Sequence, residues 1–390
     1  MSKDRRDLKV AIVHDWIYKI GGGEKCVETL CEMFPQSDFF ALFGDIKYLR
    51  KASPVIAGRK VTFSPLNRIP FLRKFYRYTY FLWPLLIENF DFRDYDLVIS
   101  TSSCVAKGAI TSIDTLHICY MFSPMRYAWD QSKEYFDSKY FNWWKRKIIT
   151  WFLHFIRMWD VTSTDRIDYI IPISNMVAKR IRKYYRREPA PVIAPPVYIE
   201  HADYQKKKED FYIAIAPFEP NKGGELAVGA AMKYGFNLKI IGTGSLKRKL
   251  EKRVRGFKNI EFLNQVSEEM KWDYLARAKC LLFCGVEDFG IAPIEAIASG
   301  TPVVAYKGGG ALDYVIDGFN GSFFVEKNSE AVKEAIDRVE VYYSKNRFST
   351  KKMNEYAKRF SKERFKKEFT EVSRKLMYIS EQNSNHLSKN

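Results

Sequence analysis

The sequence lacks the features of a membrane-spanning, zinc-binding or disulfide-bonded protein. No apolar run reaches the roughly 18 to 20 residues that a transmembrane helix requires, and the charged start MSKDRRD passes directly into an apolar stretch. The six cysteines form no CxxC pair of the kind that binds zinc. We therefore expect a soluble or peripheral cytoplasmic protein, with no metal site and with its cysteines as buried free thiols.

The glycine-rich turns also lack two familiar nucleotide-binding patterns. Neither GGGEK nor GTGS fits a GxGxxG or a Walker loop. This absence argues against a dinucleotide cofactor, although either turn can still approach a phosphate.

Positive charge is in excess. The chain has 64 lysines and arginines against 46 acidic residues, a net charge of +18 and a pI of about 9.4. Such a balance favours a polyanionic partner, which can be nucleic acid, an anionic membrane surface or a phosphorylated substrate. Charge alone does not choose among the three.

The chain of 390 residues is long enough for two domains. Short apolar runs alternate with amphipathic helical ones twice over, and a stretch rich in proline and lysine interrupts them around residues 189–210. This pattern predicts two Rossmann-like α/β domains with parallel sheets, over residues 1–200 and 205–355. Facing each other across a cleft, two such domains suit one ligand each, with chemistry between them.

Two glutamates, Glu287 and Glu295, stand eight positions apart in VEDFGIAPIEAIASG. The segment predicts a buried strand over residues 280–286, a polar crossing, and a helix with Pro293 at its first position and Gly300 just past its end. Ligands of open α/β sheets bind at the carboxyl ends of strands, and carboxylates accept paired hydrogen bonds from sugar hydroxyls. The alternative is structural. Glu295 would then be a first-turn acid favoured by the helix dipole, and Glu287 a solvated loop acid.

Three other turns are candidate phosphate sites. Glycines at 21–23 follow the strand that ends near His14 and Asp15 and precede a helix, while residues 242–245 join a strand to a helix. Lys222 lies in a loop just before a helix, where a cation can meet a diphosphate. A plain turn or a solvated lysine is the alternative reading at each position.

Residues 68–86 and 139–159 mix arginine and lysine with tryptophan, tyrosine and phenylalanine. That composition is typical of a surface that meets anionic lipid. It also fits a core helix with a charged outer face, or a surface that stacks single-stranded nucleic acid.

The segment EDFGIAPIEAIASGTPVVAYKGGGALDYVIDGFNGSFF resembles the E-x7-E donor site of retaining GT-B glycosyltransferases of family 4. The resemblance extends through HDW…GGGEK, YDLVISTSSCVAKG, CYMFSPMRYAWD, ISNMVAKRIRKYY and IIGTGS, and so covers nearly the whole chain. SPMRYAWD in particular is similar to the bacterial O-antigen and capsule mannosyltransferase branch.

This resemblance implies a role for each matching residue. Glu287 would contact the donor sugar near the reacting carbon, Glu295 would bind the ribose, and Lys222 would bind the diphosphate. The other implied donor-binding residues are Phe289, Gly290, Ile291, Gly22, Gly23, Gly242 and Gly244, and the weaker candidates for an acceptor or sugar pocket are Asp15, Phe122, Arg126, Asp130 and Ser174.

The resemblance also implies a function. The implied reaction is the retaining, metal-independent and cofactor-free transfer of a hexose to a lipid-linked or growing saccharide in cell-surface polysaccharide synthesis. The preferred donor is GDP-mannose, which supplies mannose. The protein is then expected at the inner face of the cell membrane, without nucleic acid, and a helix over about residues 356–380 is expected to pack back on the first domain.

Two positions depart from the family pattern. Pro217 stands where the family usually has an arginine, and Phe122 stands where it usually has a histidine. Either another cation compensates and the pocket fits an altered sugar, or activity is reduced or lost. The alternative function is therefore a catalytically degenerate GT-B scaffold or binding subunit of a glycosyltransferase complex.

Overall fold

The computed structural model describes residues 8–69, 76–132, 142–215, 219 and 222–387. The chain divides into two compact units, the first formed by Met1–Pro196 with Phe365–Asn390 and the second by Val197–Arg364. Pro217 and parts of the two aromatic and basic stretches, residues 70–75 and 139–141, lie outside the described residues.

The first unit contains a parallel sheet in the order β3-β2-β1-β4-β5-β6. Runs that are buried along almost their whole length form its central strands, as is usual for a sheet covered on both faces. The strands are β1 (Val10–Ile17), β2 (Asp38–Gly44), β3 (Val61–Phe63), β4 (Leu97–Ser102), β5 (Leu116–Met121) and β6 (Tyr169–Pro172).

The strand order of the first unit reverses at β1. Val13 of β1 pairs with Phe40 of β2 on one side and with Ser100 of β4 on the other, so the chain changes direction across the sheet there.

Helices connect these strands. The helices are α1 (Gly22–Met33), α2 (Ile46–Ala52), α3 (Pro54–Ala57), α4 (Trp83–Glu88), α5 (Trp143–Thr162) and α6 (Asn175–Arg180).

The second unit repeats the arrangement, with a parallel sheet in the order β12-β11-β10-β7-β8-β9. Its strands are β7 (Tyr212–Ile215), β8 (Leu238–Ile241), β9 (Ile260–Asn264), β10 (Cys280–Phe283), β11 (Val303–Tyr306) and β12 (Gly321–Phe324). Its helices are α7 (Gly224–Tyr234), α8 (Lys247–Arg253), α9 (Glu268–Arg277), α10 (Ile291–Ala298), α11 (Ser329–Ser344) and α12 (Thr350–Ala357).

A final helix, α13 (Lys362–Leu387), starts in the second unit and continues in the first. Within the first unit, Phe365 and Phe369 on this helix are buried against the ring of Tyr120 on β5. The predicted α/β class with parallel sheets is confirmed. Among the described residues, no helix combines the length and hydropathy needed to cross a bilayer.

Candidate active site

The second sheet reverses its strand order between β10 and β7. A crevice forms at such a point because the loops that follow the two neighbouring strands turn away in opposite directions, and ligands of open α/β sheets bind there. The loop after β7 carries Lys222, and the loop after β10 carries Glu287. Two of the predicted site residues thus lie in the loops that follow two adjacent strands.

These two side chains form an ion pair. Lys222 Nζ lies 2.6 Å from each carboxylate oxygen of Glu287, and both side chains are mostly buried yet still reach solvent. Charged hydrogen bonds of this length are among the stronger polar contacts in proteins. A diphosphate that binds Lys222 must therefore compete with Glu287 for the ammonium group.

Glycine makes the approach of the two loops possible. Gly223, between Lys222 and α7, has φ of +73°, and a Cβ atom there would lie 2.3 Å from the carbonyl carbon of Cys284. Gly285 on the facing loop would likewise place a Cβ 2.7 Å from the backbone oxygen of Lys222. No larger residue fits this backbone contact, which sets the distance between Lys222 and Glu287.

The helix of the E-x7-E segment begins earlier than the sequence suggests. Gly290 is its N-cap, with φ of +93°, so Ile291 is the first helical residue and Pro293 the third. Glu295 consequently lies in the second turn, and the predicted first-turn position was wrong. The cause is Gly290, whose positive φ allows the chain to enter the helix two residues before the proline.

The start of α10 leaves backbone N–H groups of its first turn without intrahelical partners, which suits an anion. Tyr314 fixes this start, because its hydroxyl donates to the carbonyl of Phe289 at 2.7 Å. The Phe289 ring is buried, and a Cβ on Gly290 would lie 2.8 Å from that same hydroxyl. The segment formed by Phe289, Gly290 and Ile291 is therefore held in one conformation.

Glu295 is buried and forms an ion pair with Lys271 of α9, with 2.7 Å between Nζ and Oε1. Lys271 also contacts the exposed Glu268, at 3.1 Å. Burial lowers the pKa of Lys271, but the charges and hydrogen bonds of Glu295 and Glu268 outweigh burial, so the pKa is raised. Sequence reasoning missed Lys271, because it lies 24 residues before Glu295 in a helix rich in charge.

Lys208 was also missed, since it belongs to a run of three lysines in the predicted linker. Its Nζ donates to the carbonyl of Ala276 at 2.8 Å and to that of Ser299 at 3.4 Å, and it also contacts the hydroxyl of Thr301. These carbonyls lie at the C-terminal ends of α9 and α10, where the helix dipole favours a cation. Lys208 thus ties together the two helices that carry Lys271 and Glu295.

The turn with Gly242 and Gly244 joins β8 to α8, a strand to a helix, as predicted. In the sheet, β8 lies next to β7. Glu219 organises it by accepting hydrogen bonds from the backbone N–H of Ser245 at 3.3 Å and from its hydroxyl at 2.7 Å. The turn therefore lies at the same edge of the sheet as Lys222.

In the first unit, Gly21 is the N-cap of α1, and Gly22 and Gly23 are its first two residues. The glycines thus lie in the helix start, not in a loop before it as the sequence suggested. Glu24 makes the earlier start possible, because its side chain accepts from the backbone N–H of Gly21 at 2.9 Å. The first-turn amides of α1 remain suited to an anion.

Phe122 follows β5 and packs beside this helix start. A Cβ added to Gly23 would lie 3.5 Å from the Phe122 ring, and the ring meets the imidazole of His14 edge to face at 6.2 Å. Burial lowers the pKa of His14, but the carboxylates of Glu24 and Asp15 outweigh it, so the pKa is raised. An apolar ring and a histidine therefore lie next to the glycines of α1.

Asp15 has a structural role in this arrangement. Its buried carboxylate accepts from the backbone N–H groups of Ser103, Val105 and Ala106 at 2.7 to 2.8 Å, and from the Ser103 hydroxyl at 3.0 Å. These four bonds hold the loop that follows β4.

The remaining candidates of the first unit lie between β5 and α6. Asp130 accepts two hydrogen bonds from the buried guanidinium of Arg180, at 2.6 and 2.9 Å, and Arg126 is half-buried in the turns before it. Ser174 is the N-cap of α6 and accepts from the backbone N–H of Val177 at 3.1 Å. Asp130 and Ser174 are thus held in the fold by these contacts.

Comparison with known proteins shows what the second unit is similar to. Residues 199–360 match the family model described as Glycosyl transferases group 1. An uncharacterized glycosyltransferase of Methanocaldococcus jannaschii is 30% identical over 162 residues, which are 41% of this chain and 45% of that protein. The O-antigen chain mannosyltransferase RfbU of Salmonella typhimurium is 26% identical over 208 residues, 49% of this chain and 59% of that protein.

The chain thus spans about half the length of these relatives. Over nearly its whole length it is similar to the crystal structure of Anabaena Alr3699/HepE in complex with UDP, with a TM-score of 0.69, 15% identity, and coverage of 94% of this chain and 100% of that one. The fold is GT-B, and residues 199–360 form a group 1 glycosyltransferase domain. The predicted fold class is confirmed, and the match of residues 199–360 supports the predicted glycosyltransferase class.

Proposed function

We propose that the protein is a retaining glycosyltransferase that transfers a hexose from a nucleotide-sugar donor to a saccharide. The observation that carries this proposal is the pair of Lys222 and Glu287, which lies at the switch point of the second sheet within the region that matches the glycosyltransferase family. A cation and a carboxylate within 2.6 Å of one another suit a substrate with an anionic leaving group and a sugar that becomes positively charged.

The donor diphosphate would bind Lys222 and the amides at the start of α10. Both are fixed before the donor arrives, so they can stabilise the departing nucleoside diphosphate without a metal ion or a cofactor. Glu287 would then face the reacting carbon, where a carboxylate stabilises positive charge. Buried Glu295 would accept hydrogen bonds from the ribose hydroxyls.

Mannose from GDP-mannose is the donor that we propose, supported by the similarity to the O-antigen chain mannosyltransferase. The same similarity supports a lipid-linked or growing saccharide of a cell-surface polysaccharide as the acceptor. Such an acceptor would bring the protein to the inner face of the cell membrane, where the net charge of +18 favours anionic lipid.

A thermal-shift panel tests the donor. GDP, UDP, dTDP and ADP and their sugar conjugates are compared, since a ligand at 100 times its Kd stabilises the folded state by about 2.7 kcal/mol. We expect the largest shift with GDP-mannose. A larger shift with another nucleotide sugar would replace mannose or guanine in the proposal, and no shift with any nucleotide would favour the scaffold over the enzyme.

Replacing Glu295 with alanine tests the ribose contact. We expect the Kd of the preferred nucleoside diphosphate to rise about 10- to 100-fold, because a charged hydrogen bond contributes roughly 1.5 to 3 kcal/mol. Isothermal titration calorimetry measures the change. The matched control is Glu268→Ala, which removes the other, exposed carboxylate beside Lys271 and should leave the Kd unchanged. Equal effects of the two substitutions would contradict a specific role of Glu295.

A further inference from the structure

The helix α5 presents an apolar face to solvent. Its side chains Ile148, Trp151, Phe155 and Met158 are 49%, 60%, 45% and 46% exposed, and we refer to these four as the outer face of α5. Their spacing of three, four and three residues places them within about 80° of one another around a helix of 3.6 residues per turn. A continuous exposed face of this kind marks an interaction surface.

The opposite side of the same helix packs into the first unit. Leu153, Ile156 and Asp160 are buried there, so the outer face is directed away from the core. Trp151 and Phe155 contact each other edge to face at 4.7 Å. The exposed ring of Phe81 extends the apolar area from a neighbouring 3-10 helix, Tyr76–Leu82, by packing on Phe152 at 5.8 Å.

The charges on α5 are almost all positive. The helix contains Lys145, Arg146, Lys147 and Arg157, and its one acidic residue, Asp160, is buried. Arg146 and Lys147 are exposed, and Lys147 Nζ lies 5.1 Å from the ring centroid of Trp143. Cations and tryptophan beside an apolar face are what a helix needs in order to lie at the interface of an anionic bilayer.

We propose that α5 docks the protein onto an anionic lipid surface, with the outer face inserted among the acyl chains and Lys147, at the rim of that face, at the headgroups. This deepens the proposed function and rests on it, because a lipid-linked acceptor is what places the enzyme at a membrane. The helix of 20 residues would lie along the surface, because it is too polar to cross the bilayer.

Two other partners fit the face less well. A second copy of the chain, packed through the same helix about a two-fold axis, would bring like charges together on both sides of the contact. Single-stranded nucleic acid requires a basic groove with stacking rings, whereas half of the outer face is aliphatic or thioether.

Flotation with vesicles tests the proposal. We expect the wild-type protein to float with vesicles of 30% POPG in POPC at 0.1 M NaCl, and to do so much less with pure POPC or at 0.5 M NaCl, because salt screens surface charge. The double substitution W151S/F155S should lower partitioning at least tenfold, and K147Q should weaken the salt-dependent part. The matched control is Ile113→Ser, which changes a fully exposed apolar residue of the same unit and should float like the wild type.

Three outcomes would overturn the proposal. The first is that the wild type does not float with POPG vesicles, and the second is that W151S/F155S floats as well as the wild type with an unchanged melting temperature. The third is that W151S/F155S abolishes binding to an oligonucleotide, or converts a dimer into a monomer in light scattering, without changing flotation. Glu287→Ala should float like the wild type, so loss of transfer and loss of lipid binding are separate results.

Discussion

Replacing Glu287 with alanine is expected to lower transfer by about 10²- to 10³-fold or more, the effect of removing a preorganised charge from a transition state. Affinity for the nucleoside diphosphate should not fall, and it should rise if Lys222, freed from its 2.6 Å contacts, is more available to the phosphates. Steady-state kinetics with the preferred donor, together with calorimetry of diphosphate binding, separate the two effects.

The melting temperature decides how a loss of activity is interpreted. Glu287 is partly open to solvent, so water can solvate Lys222 in the variant and the fold should persist. Glu334→Ala, at an exposed position of α11, is a matched control that should keep full activity. Wild-type turnover of the Glu287 variant with every donor would refute the role assigned to this carboxylate.

The sequence was sufficient to predict the fold class, because the strands of a doubly covered parallel sheet are continuous apolar runs. Gly300 and Lys222 also lie where the local pattern placed them, one just after α10 and the other just before α7. The edge strand β3 is different, since its three residues are only half-buried and form too short a run to be recognised from the sequence.

The partners of the site residues could not be predicted in the same way. Glu295 meets Lys271 and Glu287 meets Lys222 only because parallel strands and their helices bring distant segments together. The partners of Asp15, a candidate for the acceptor or sugar pocket, were equally hidden, since its oxygens accept from the loop after β4. Local patterns find such residues but do not show which group each one faces.

Replacing Lys107 with methionine is expected to destabilise the first unit by about 3 to 5 kcal/mol, the cost of leaving a buried charge without its partner. Lys107 and Asp160 have side chains that are 1% and 0% exposed, with 3.1 Å between Nζ and Oδ1. Lys107 also donates to the carbonyl of Asp160 at 2.8 Å and to the Ser163 hydroxyl at 2.5 Å. A melt followed by circular dichroism should show a fall of roughly 6 to 20 °C, at 2 to 4 °C per kcal/mol for a unit of this size.

A second substitution separates charge from packing. In Lys107→Met/Asp160→Asn neither member of the pair is charged, so part of the lost stability should return. The asparagine can still accept from Trp129 Nε1 and the Tyr185 hydroxyl, which lie 2.7 and 2.9 Å from the native carboxylate. The exposed pair of Arg182 and Glu188 is the control, since Arg182→Ala should leave the melting temperature nearly unchanged. If the double variant is less stable than Lys107→Met, the unpaired charge is not the cause. The lysine would then act through its packing on the rings of Trp159 and Tyr185, whose centroids lie 4.9 and 5.4 Å from Nζ.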